Sequence, residues 1–300
     1  MVPEATYLDS IIAAHRERVA ADRRDLDELK SAAREAALGI RPFAGALTGS
    51  GSGFGDGCGA GSGSGSGLKV IAEVKRRSPS KGSFGVSIDP AMLATEYEAG
   101  GAACISVLTD EQFFGGSAAD LADARSACSL PVLRKDFLLS PACICDARLM
   151  GADAVLLIVA ALRDEELSEL TELAAWLGMD ALVEVHDDEE LGRALDARAK
   201  IVGVNQRDLR TFGVDTTRAE RLRASIPAGV VAVAESGIRG AEDAKRLAEC
   251  GFDAVLVGEA IMCSADRPAL VRAMSGLPVR AGLRGGALQG RRHPSSTGAL

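Results

Sequence analysis

Ionisable residues stand at the ends of short apolar runs, where they could transfer protons or hold anions. The clearest cases are Glu73, Lys75, Lys135, Glu184 and Arg207. Glu73 and Lys75 are two residues apart, so they project on the same side of an extended strand. Burying a charge is unfavourable unless the charge is paired or used. A stabilising salt bridge remains the alternative for any one of them, but the set together favours an acid–base site that also binds an anion.

The elements that carry these residues alternate between short apolar runs and stretches with helical spacing. The runs are 70–74, 103–108, 132–133, 154–159, 181–185, 201–204, 230–234 and 254–257. They are continuously apolar, as in parallel strands that are buried on both faces. Eight such units predict an α/β fold, a (β/α)8 TIM barrel with an N-terminal helical extension. The rival, an open doubly wound sheet, should carry a glycine-rich dinucleotide turn, and the sequence has none.

Composition divides the chain into four parts. Residues 1–44 are expected to form the helical extension, with one helix over 5–37, because apolar residues recur at helical spacing. Residues 45–67 contain 11 glycines and 5 serines and predict a flexible insertion. Residues 68–277 form the predicted catalytic barrel. Residues 278–300 are rich in Gly, Arg, Ser and Pro and predict a disordered tail.

Glycines have two expected uses. Several predicted helices end at glycine before the next strand. Three of these segments, from Gly101, Gly151 and Gly251, continue with Ala or Phe, then Asp or Ala, and then a strand, which indicates a repeated unit. Ser236, Gly237 and Gly258 follow the seventh and eighth strands, where barrel enzymes commonly bind phosphate through backbone N–H groups. Their position predicts a phosphate-bearing substrate, with simple turn residues as the alternative.

Composition also excludes several classes of protein. The formal net charge of −8 argues against nucleic acid as a partner. No apolar run reaches the roughly 18–20 residues of a membrane span, and the first residues lack the pattern of a secretion signal. The seven cysteines form no CxxC pair and the three histidines have no zinc-site spacing. We expect a cytoplasmic protein without metal or cofactor; a monomer is expected, although the sequence does not give the oligomeric state.

Seven segments in order resemble the indole-3-glycerol-phosphate synthase family. They are AEVKRRSPSKG (72–82), SVLTDEQFFGG (106–116), LRKDF (133–137), GADAVLLIV (151–159), LVEV (182–185), GVNQRDL (203–209) and AESGI (234–238). The resemblance runs from about Tyr7 to about Met274 and is interrupted by the Gly/Ser segment. Any one of these motifs is unspecific, but seven in the same order are very specific.

The resemblance implies a substrate and a role for each site residue. The substrate would be 1-(2-carboxyphenylamino)-1-deoxyribulose 5-phosphate, an anion with a carboxylate and a phosphate, converted to indole-3-glycerol phosphate in tryptophan biosynthesis by a carboxy-lyase. The implied catalytic residues are Lys135 as general acid and Glu184, assisted by Glu73, in acid–base work. The implied substrate-binding residues are Lys75, Asn205 and Arg207 for the carboxylate, Phe137 and Leu156 for the benzene ring, and Ser236, Gly237 and Gly258 for the phosphate. Ser78 lies on a loop that we expect to close over the substrate.

The sequence departs from the family in three places: the Gly/Ser segment, residue 259 and the C-terminal tail, which has no counterpart in the family. The Gly/Ser segment enlarges the connection between the N-terminal helices, which cover the barrel mouth in this family, and the first strand. Glu259 stands where a small residue is common beside the phosphate, and an acidic side chain there would repel phosphate unless it turned away, so Glu259 is left out of the expected site. His186 is not one of these departures; its place past the strand, two residues after Glu184, predicts a helix-start or surface role, with catalysis as the less favoured alternative.

Two alternatives remain open. One is another phosphoribosyl-handling barrel, such as the isomerase that makes this substrate, although that reaction would not require two lysines with Glu184. The other is a non-catalytic barrel that binds phosphate metabolites, although such a protein should have lost Lys135 or Glu184 while keeping its phosphate loops.

Overall fold

Parallel strands close into a barrel in the computed structural model, which describes residues 6–49, 67–78, 82–83 and 88–280. The strands are β1 (Lys69–Val74), β2 (Arg77–Ser78), β3 (Gly82–Ser83), β4 (Cys104–Leu108), β5 (Val132–Lys135), β6 (Ala154–Ile158), β7 (Asp180–Val185), β8 (Ile201–Asn205), β9 (Val231–Glu235) and β10 (Ala254–Val257). β2 and β3 pair only with each other, and the other eight follow the order β1-β10-β9-β8-β7-β6-β5-β4. Strands β4, β6, β8 and β9 are buried throughout. The predicted (β/α)8 barrel is confirmed.

Helices surround the barrel and cover its two ends. They are α1 (Tyr7–Ala21), α2 (Leu26–Glu35), α3 (Phe43–Thr48), α4 (Pro90–Ala99), α5 (Glu111–Phe114), α6 (Ala118–Ala127), α7 (Pro141–Leu149), α8 (Asp164–Trp176), α9 (Asp188–Asp196), α10 (Arg218–Arg223), α11 (Ala241–Glu249), α12 (Glu259–Met262) and α13 (Arg267–Met274), with a 3₁₀ turn at Val159–Ala161. Neighbours pack around the ring, with α4 against α6 and α13, and α7 against α2 and α8. None of the helices in the described part of the chain combines the length and apolarity that crossing a membrane requires.

The expectation of one helix over residues 5–37 was wrong, because local capping interrupts the helical periodicity. α1 ends at Ala21, and the side chain of Asp22 accepts hydrogen bonds from the backbone and side chain of Arg24. Asp25 then caps α2 by accepting from the N–H groups of Asp27 and Glu28. Aspartate favours such helix starts, so two capped helices replace one.

The N-terminal extension passes from one end of the barrel to the other. α1 lies over the carboxyl ends of the strands, where His15 contacts Asp110 just beyond β4. α3 closes the opposite end, where Phe43 is fully buried and Ala44 N–H donates to Asp180 at the start of β7. The extension is therefore a strap that covers both ends of the barrel.

The segment boundaries expected from composition are only partly within the described residues. Residues 45–48 belong to α3 rather than to a flexible segment, and Gly49 ends that helix in the left-handed conformation (φ 72°). Residues 50–66 and 281–300, which carry most of the predicted insertion and tail, lie outside the described residues. Leu68 N–H donates to Leu277 O at 2.7 Å, which joins the two ends of the barrel region.

Candidate active site

The carboxyl ends of the strands surround a cavity with two adjoining parts of about 120 and 620 Å³. The part beneath α1 is lined by Glu73, Lys75, Lys135, Phe137, Leu156, Glu184, Asn205, Arg207 and Ser236. The second part shares Glu73, both lysines, Arg207 and Ser236 and adds Gly237 and Gly258. Ser78 lies in the two-residue strand β2, and its contact with a substrate stays a prediction. The structure thus brings the other expected site residues together around one cavity.

Glu73 is held between two lysines at the end of β1. Its Oε1 accepts a hydrogen bond from Lys75 Nζ at 2.5 Å, and its Oε2 accepts one from Lys135 Nζ at 2.9 Å. Burial alone would raise the pKa of Glu73, but the two lysine charges and hydrogen bonds prevail and hold the pKa at about 2. Burial would lower the pKa of Lys135, yet the charges of Glu73, Glu235 and Glu184 raise it. Glu73 is therefore an ionised carboxylate that fixes Lys135 in its charged form.

Glu235, at the end of β9, is a second buried carboxyl group that the sequence analysis did not assign to the site. Its side chain is fully buried, and neither oxygen has a hydrogen-bond partner among the described residues. Lys135 Nζ lies 3.7 Å from Oε2. Burial, followed by the charge of Glu184, raises the pKa of Glu235 well above its usual range. Glu235 is thus suited to hold a proton near neutral pH.

The turn after β9 has an unusual backbone that fits its position in the cavity. Ser236 and the next residue, Gly237, both have left-handed φ angles of 64° and 72°. Such a conformation is strained for serine, and strain of this kind is concentrated at functional sites. Gln206 Nε2 donates to Ser236 O at 2.7 Å and holds the turn in place.

The comparisons with known proteins agree with this geometry. A family model described as indole-3-glycerol phosphate synthase matches residues 8–274. The chain belongs to this family. An indole-3-glycerol phosphate synthase from Kineococcus radiotolerans is 48% identical over 87% of this chain and 92% of that protein. One from a Parafrankia species is 55% identical over 66% of this chain and 74% of that protein.

A solved structure supports the fold alone. The thiamine phosphate pyrophosphorylase of Pyrococcus furiosus superposes with a TM-score of 0.53 over 69% of this chain and 93% of that protein, at 18% sequence identity. At that identity the likeness concerns the barrel architecture and not the chemistry. Assignment to the synthase family therefore depends on the family model and the curated relatives.

In this member of the synthase family, α1 contributes an apolar wall that the sequence analysis missed. Tyr7, Leu8 and Ile11 line the cavity beneath the helix, together with the expected Phe137 and Leu156. The Tyr7 ring meets two more aromatic rings edge-on, those of Phe113 at 5.9 Å and Phe212 at 5.2 Å. The apolar spacing in α1 was visible in the sequence, but which surface it would cover depends on long-range packing.

α1 is fixed to the barrel mouth by a buried polar cluster of His15, Asp110 and Asp136. Their potential ligand atoms lie within 4.8 Å of one another, close enough to suggest a metal site. His15 Nε2 lies 2.9 Å from Asp110 Oδ2, however, and both Asp136 oxygens already accept hydrogen bonds, one of them from Arg134. We interpret the cluster as a clamp that holds α1 next to Lys135, the residue before Asp136.

Glu259 lies in the site, contrary to its exclusion from the expected site residues. It lines both parts of the cavity, and its Oε2 is 4.0 Å from Arg207 Nη2. Arg207 also donates to Phe212 O at 3.2 Å, and its backbone N–H donates to Asn205 Oδ1 at 3.0 Å. Attraction to Arg207 thus accounts for the position of an acidic side chain in an anion-binding cavity.

Proposed function

We propose that the protein catalyses the closure of the indole ring of 1-(2-carboxyphenylamino)-1-deoxyribulose 5-phosphate, with loss of carbon dioxide and water, to give indole-3-glycerol phosphate. The observation that carries the proposal is the charged, partly buried Lys135, which lies between Glu73 and Glu235 in the cavity of a protein of this family. Ring closure places negative charge on a ketone oxygen, and a positioned ammonium group can stabilise that oxygen and protonate it.

The substrate has three parts that the cavity can hold separately. In our proposal the carboxylate lies near Lys75, Arg207 and Asn205, where the cationic groups are. The benzene ring lies between the apolar residues of the barrel, Phe137 and Leu156, and those of α1. The phosphate occupies the larger part of the cavity, next to Ser236, Gly237 and Gly258. Backbone N–H groups at such turns bind phosphate well because glycine permits close approach.

Ring closure needs a proton donor beside the ketone oxygen, whereas decarboxylation is assisted by weak solvation of the carboxylate. The ring carbon that bears the carboxylate attacks the ketone carbon, and Lys135 gives its proton to the ketone oxygen. The bond to the carboxylate then breaks, carbon dioxide leaves, and the electron pair restores the conjugated ring. A water-poor site assists because it weakens the solvation of the departing carboxylate.

Dehydration needs one group that accepts a proton and one that donates a proton to the departing hydroxyl group. Glu184 is nearly fully buried and lines the same part of the cavity as Lys135, so we assign acid–base work to it. The raised pKa of Glu235 suits it to store a proton for the departing hydroxyl group. Glu73, whose pKa is about 2, is then a positioning residue rather than a proton donor.

An indole-fluorescence assay tests the reaction and the general acid together. Purified protein would be mixed with the substrate in the absence of metal and cofactor, beside Lys135→Ala and the exposed control Lys245→Ala on α11. We expect emission to grow with the native protein and the control, and to fall by about a hundredfold or more in Lys135→Ala. Absence of emission from folded native protein would overturn the proposal and favour the non-catalytic phosphate-binding barrel.

A further inference from the structure

His186 stands between the active-site cavity and a second, smaller cavity behind it. The second cavity, of about 320 Å³, is lined by His186, Glu190, Asp208 and Arg218 among others. Leu8 and Leu209 line both cavities and form an apolar wall between them. Glu184 faces the active-site cavity. The His186 imidazole is therefore a polar group beside the apolar wall that separates the two cavities.

The contacts of His186 form a chain from one cavity to the other. Its Nε2 lies 3.5 Å from Glu184 Oε1, and both of these buried atoms lack a hydrogen-bond partner within the described part of the chain. Its Nδ1 lies 3.0 Å from Glu190 Oε2, which also accepts from the His186 backbone N–H at 2.7 Å. Glu190 thus orients the ring so that Nε2 points at Glu184.

The proposed reaction needs such a path because it consumes one proton per turnover. The substrate carboxylate leaves as neutral carbon dioxide, while the former ketone oxygen keeps the proton that it received. In dehydration, a proton from carbon leaves with hydroxide as water, so that step has no net proton uptake. One proton must therefore enter from solvent in every cycle, while the substrate fills the mouth of the main cavity.

We propose that His186 relays this proton from the second cavity to Glu184, an inference that rests on the proposed function. The imidazolium gives the proton on Nε2 to the Glu184 carboxylate and becomes a neutral ring that keeps its proton on Nδ1. Rotation of the ring then lets Nε2 take a proton from solvent in the second cavity, and rotation back restores the imidazolium. No electrons are transferred, and the ring returns to its starting state. Histidine suits this role because its ordinary pKa lies close to neutral pH.

The charges around the ring favour the relay. Burial opposes protonation of His186, but the hydrogen bond to Glu190 and the charges of Glu184 and Glu190 raise its pKa, against a smaller opposing effect of Arg218. Asp208, on the loop after β8, faces the same ring and lines the second cavity with Arg218. The acidic groups outnumber the arginine among these neighbours, so the ring stays charged to a higher pH than a free histidine.

The first test combines His186→Ala with external imidazole. Removing the ring opens Glu184 to the second cavity, which has room for imidazole. We expect kcat to fall by about tenfold or more with little change in KM, and to recover in part as imidazole is added. A kcat equal to that of the native protein between about pH 6 and pH 9 would overturn the relay, and so would a loss that imidazole does not restore in a variant with a native unfolding temperature.

A second variant tests the relay while the His186 ring stays in place. Glu190→Gln still accepts a hydrogen bond from Nδ1 but removes a negative charge, so the pKa of His186 falls and the alkaline limb of the kcat profile moves to lower pH. Glu189→Gln, an exposed neighbour on α9, is the matched control and should leave the profile in place. Identical profiles for Glu190→Gln and its control would count against the relay. Failure of the proposed function itself would differ, because the native protein would then show no turnover at any pH.

Discussion

The two ends of the barrel both bury charged groups, but they treat them differently. At the amino end, Asp153 Oδ1 accepts from Arg41 N–H at 2.7 Å, and Oδ2 accepts from Val132 N–H at 2.8 Å and from the buried Arg125 guanidinium. At the carboxyl end, neither oxygen of Glu235 has a hydrogen-bond partner in the described residues, and one oxygen of Glu184 is in the same position. At the amino end, the hydrogen bonds of the buried carboxylate are all made and hold the barrel together. At the carboxyl end, carboxyl oxygens without a hydrogen-bond partner in the described residues can interact with a substrate.

The amino-end arrangement also explains a repeat seen in the sequence. Gly151 and Gly251 take left-handed φ angles of 89°, and the aspartate two positions later accepts the N–H of the first or second residue of a neighbouring strand. Asp153 serves Val132 in this way, and Asp253 serves Ala232. The repeated aspartate therefore joins strands and belongs to the framework. Neither oxygen of Glu235 at the other end has such a backbone partner among the described residues, and we propose that this residue serves the chemistry instead.

The largest effect should come from removing a saturated charge. Asp153→Ala leaves the Arg125 guanidinium and two backbone N–H groups without their acceptor, which should lower the free energy of unfolding by about 3–5 kcal/mol. Denaturant titration measures this loss, with the exposed Asp123→Ala on α6 as the control expected to stay within about 0.5 kcal/mol. An equally small loss at Asp153 would show that the two ends do not differ.

Glu235→Gln is expected to raise the free energy of unfolding at alkaline pH rather than to lower it. Because the pKa of Glu235 is about 8 in the folded protein and about 4.5 when unfolded, the native protein should lose stability as the pH rises between these values. Glutamine removes that loss, so the variant should exceed the native free energy of unfolding by about 1–2 kcal/mol at alkaline pH while its kcat falls. Titration at several pH values checks the slope; a variant that is less stable at alkaline pH than the native protein would contradict the expectation.

A smaller effect is expected at the clamp of α1. Its His15–Asp110 pair is hydrogen-bonded but lies at the carboxyl end of the barrel, beside the cavity. His15→Gln weakens the bond to Asp110, worth about 1 kcal/mol, and loosens the helix that carries Leu8 and Ile11 over the cavity. We therefore expect KM to rise several-fold with a smaller change in kcat. Steady-state kinetics beside the exposed Glu17→Gln of α1 separates the two constants, and an unchanged KM would argue against the clamp.

The smallest effect should follow from removing Glu259. Its side chain is about one-third exposed, so its repulsion of an anionic substrate is partly screened by solvent. Glu259→Ala should lower KM by roughly two- to fivefold at low salt, and the gain should shrink as salt is added. A raised KM would mean that Glu259 helps to position Arg207 rather than to oppose the substrate.

Much of this arrangement could be predicted from the sequence because strand ends in a parallel barrel meet at one rim. Glu73, Lys135 and Glu184 follow from that rule with no knowledge of packing. Glu235 occupies an equivalent strand end, but its importance depends on burial and on neighbouring charges, which a linear pattern does not show. The helix-start interpretation of His186 was correct, since this residue immediately precedes the residue that caps α9. The linear pattern did not show that its ring lies between Glu184 and Glu190 and lines a cavity.

Two glycines of the barrel make room for carboxylates of the candidate active site. A Cβ at Gly203 would collide with the carboxylate of Glu235, and a Cβ at Gly258 would collide with that of Glu73. Each glycine thus leaves the space that the carboxylate of one glutamate on a neighbouring strand occupies. A side chain at either position would push the carboxylate of its glutamate out of its present place, so across descendants of this gene we expect each glycine and its glutamate to be inherited, or lost, as a pair.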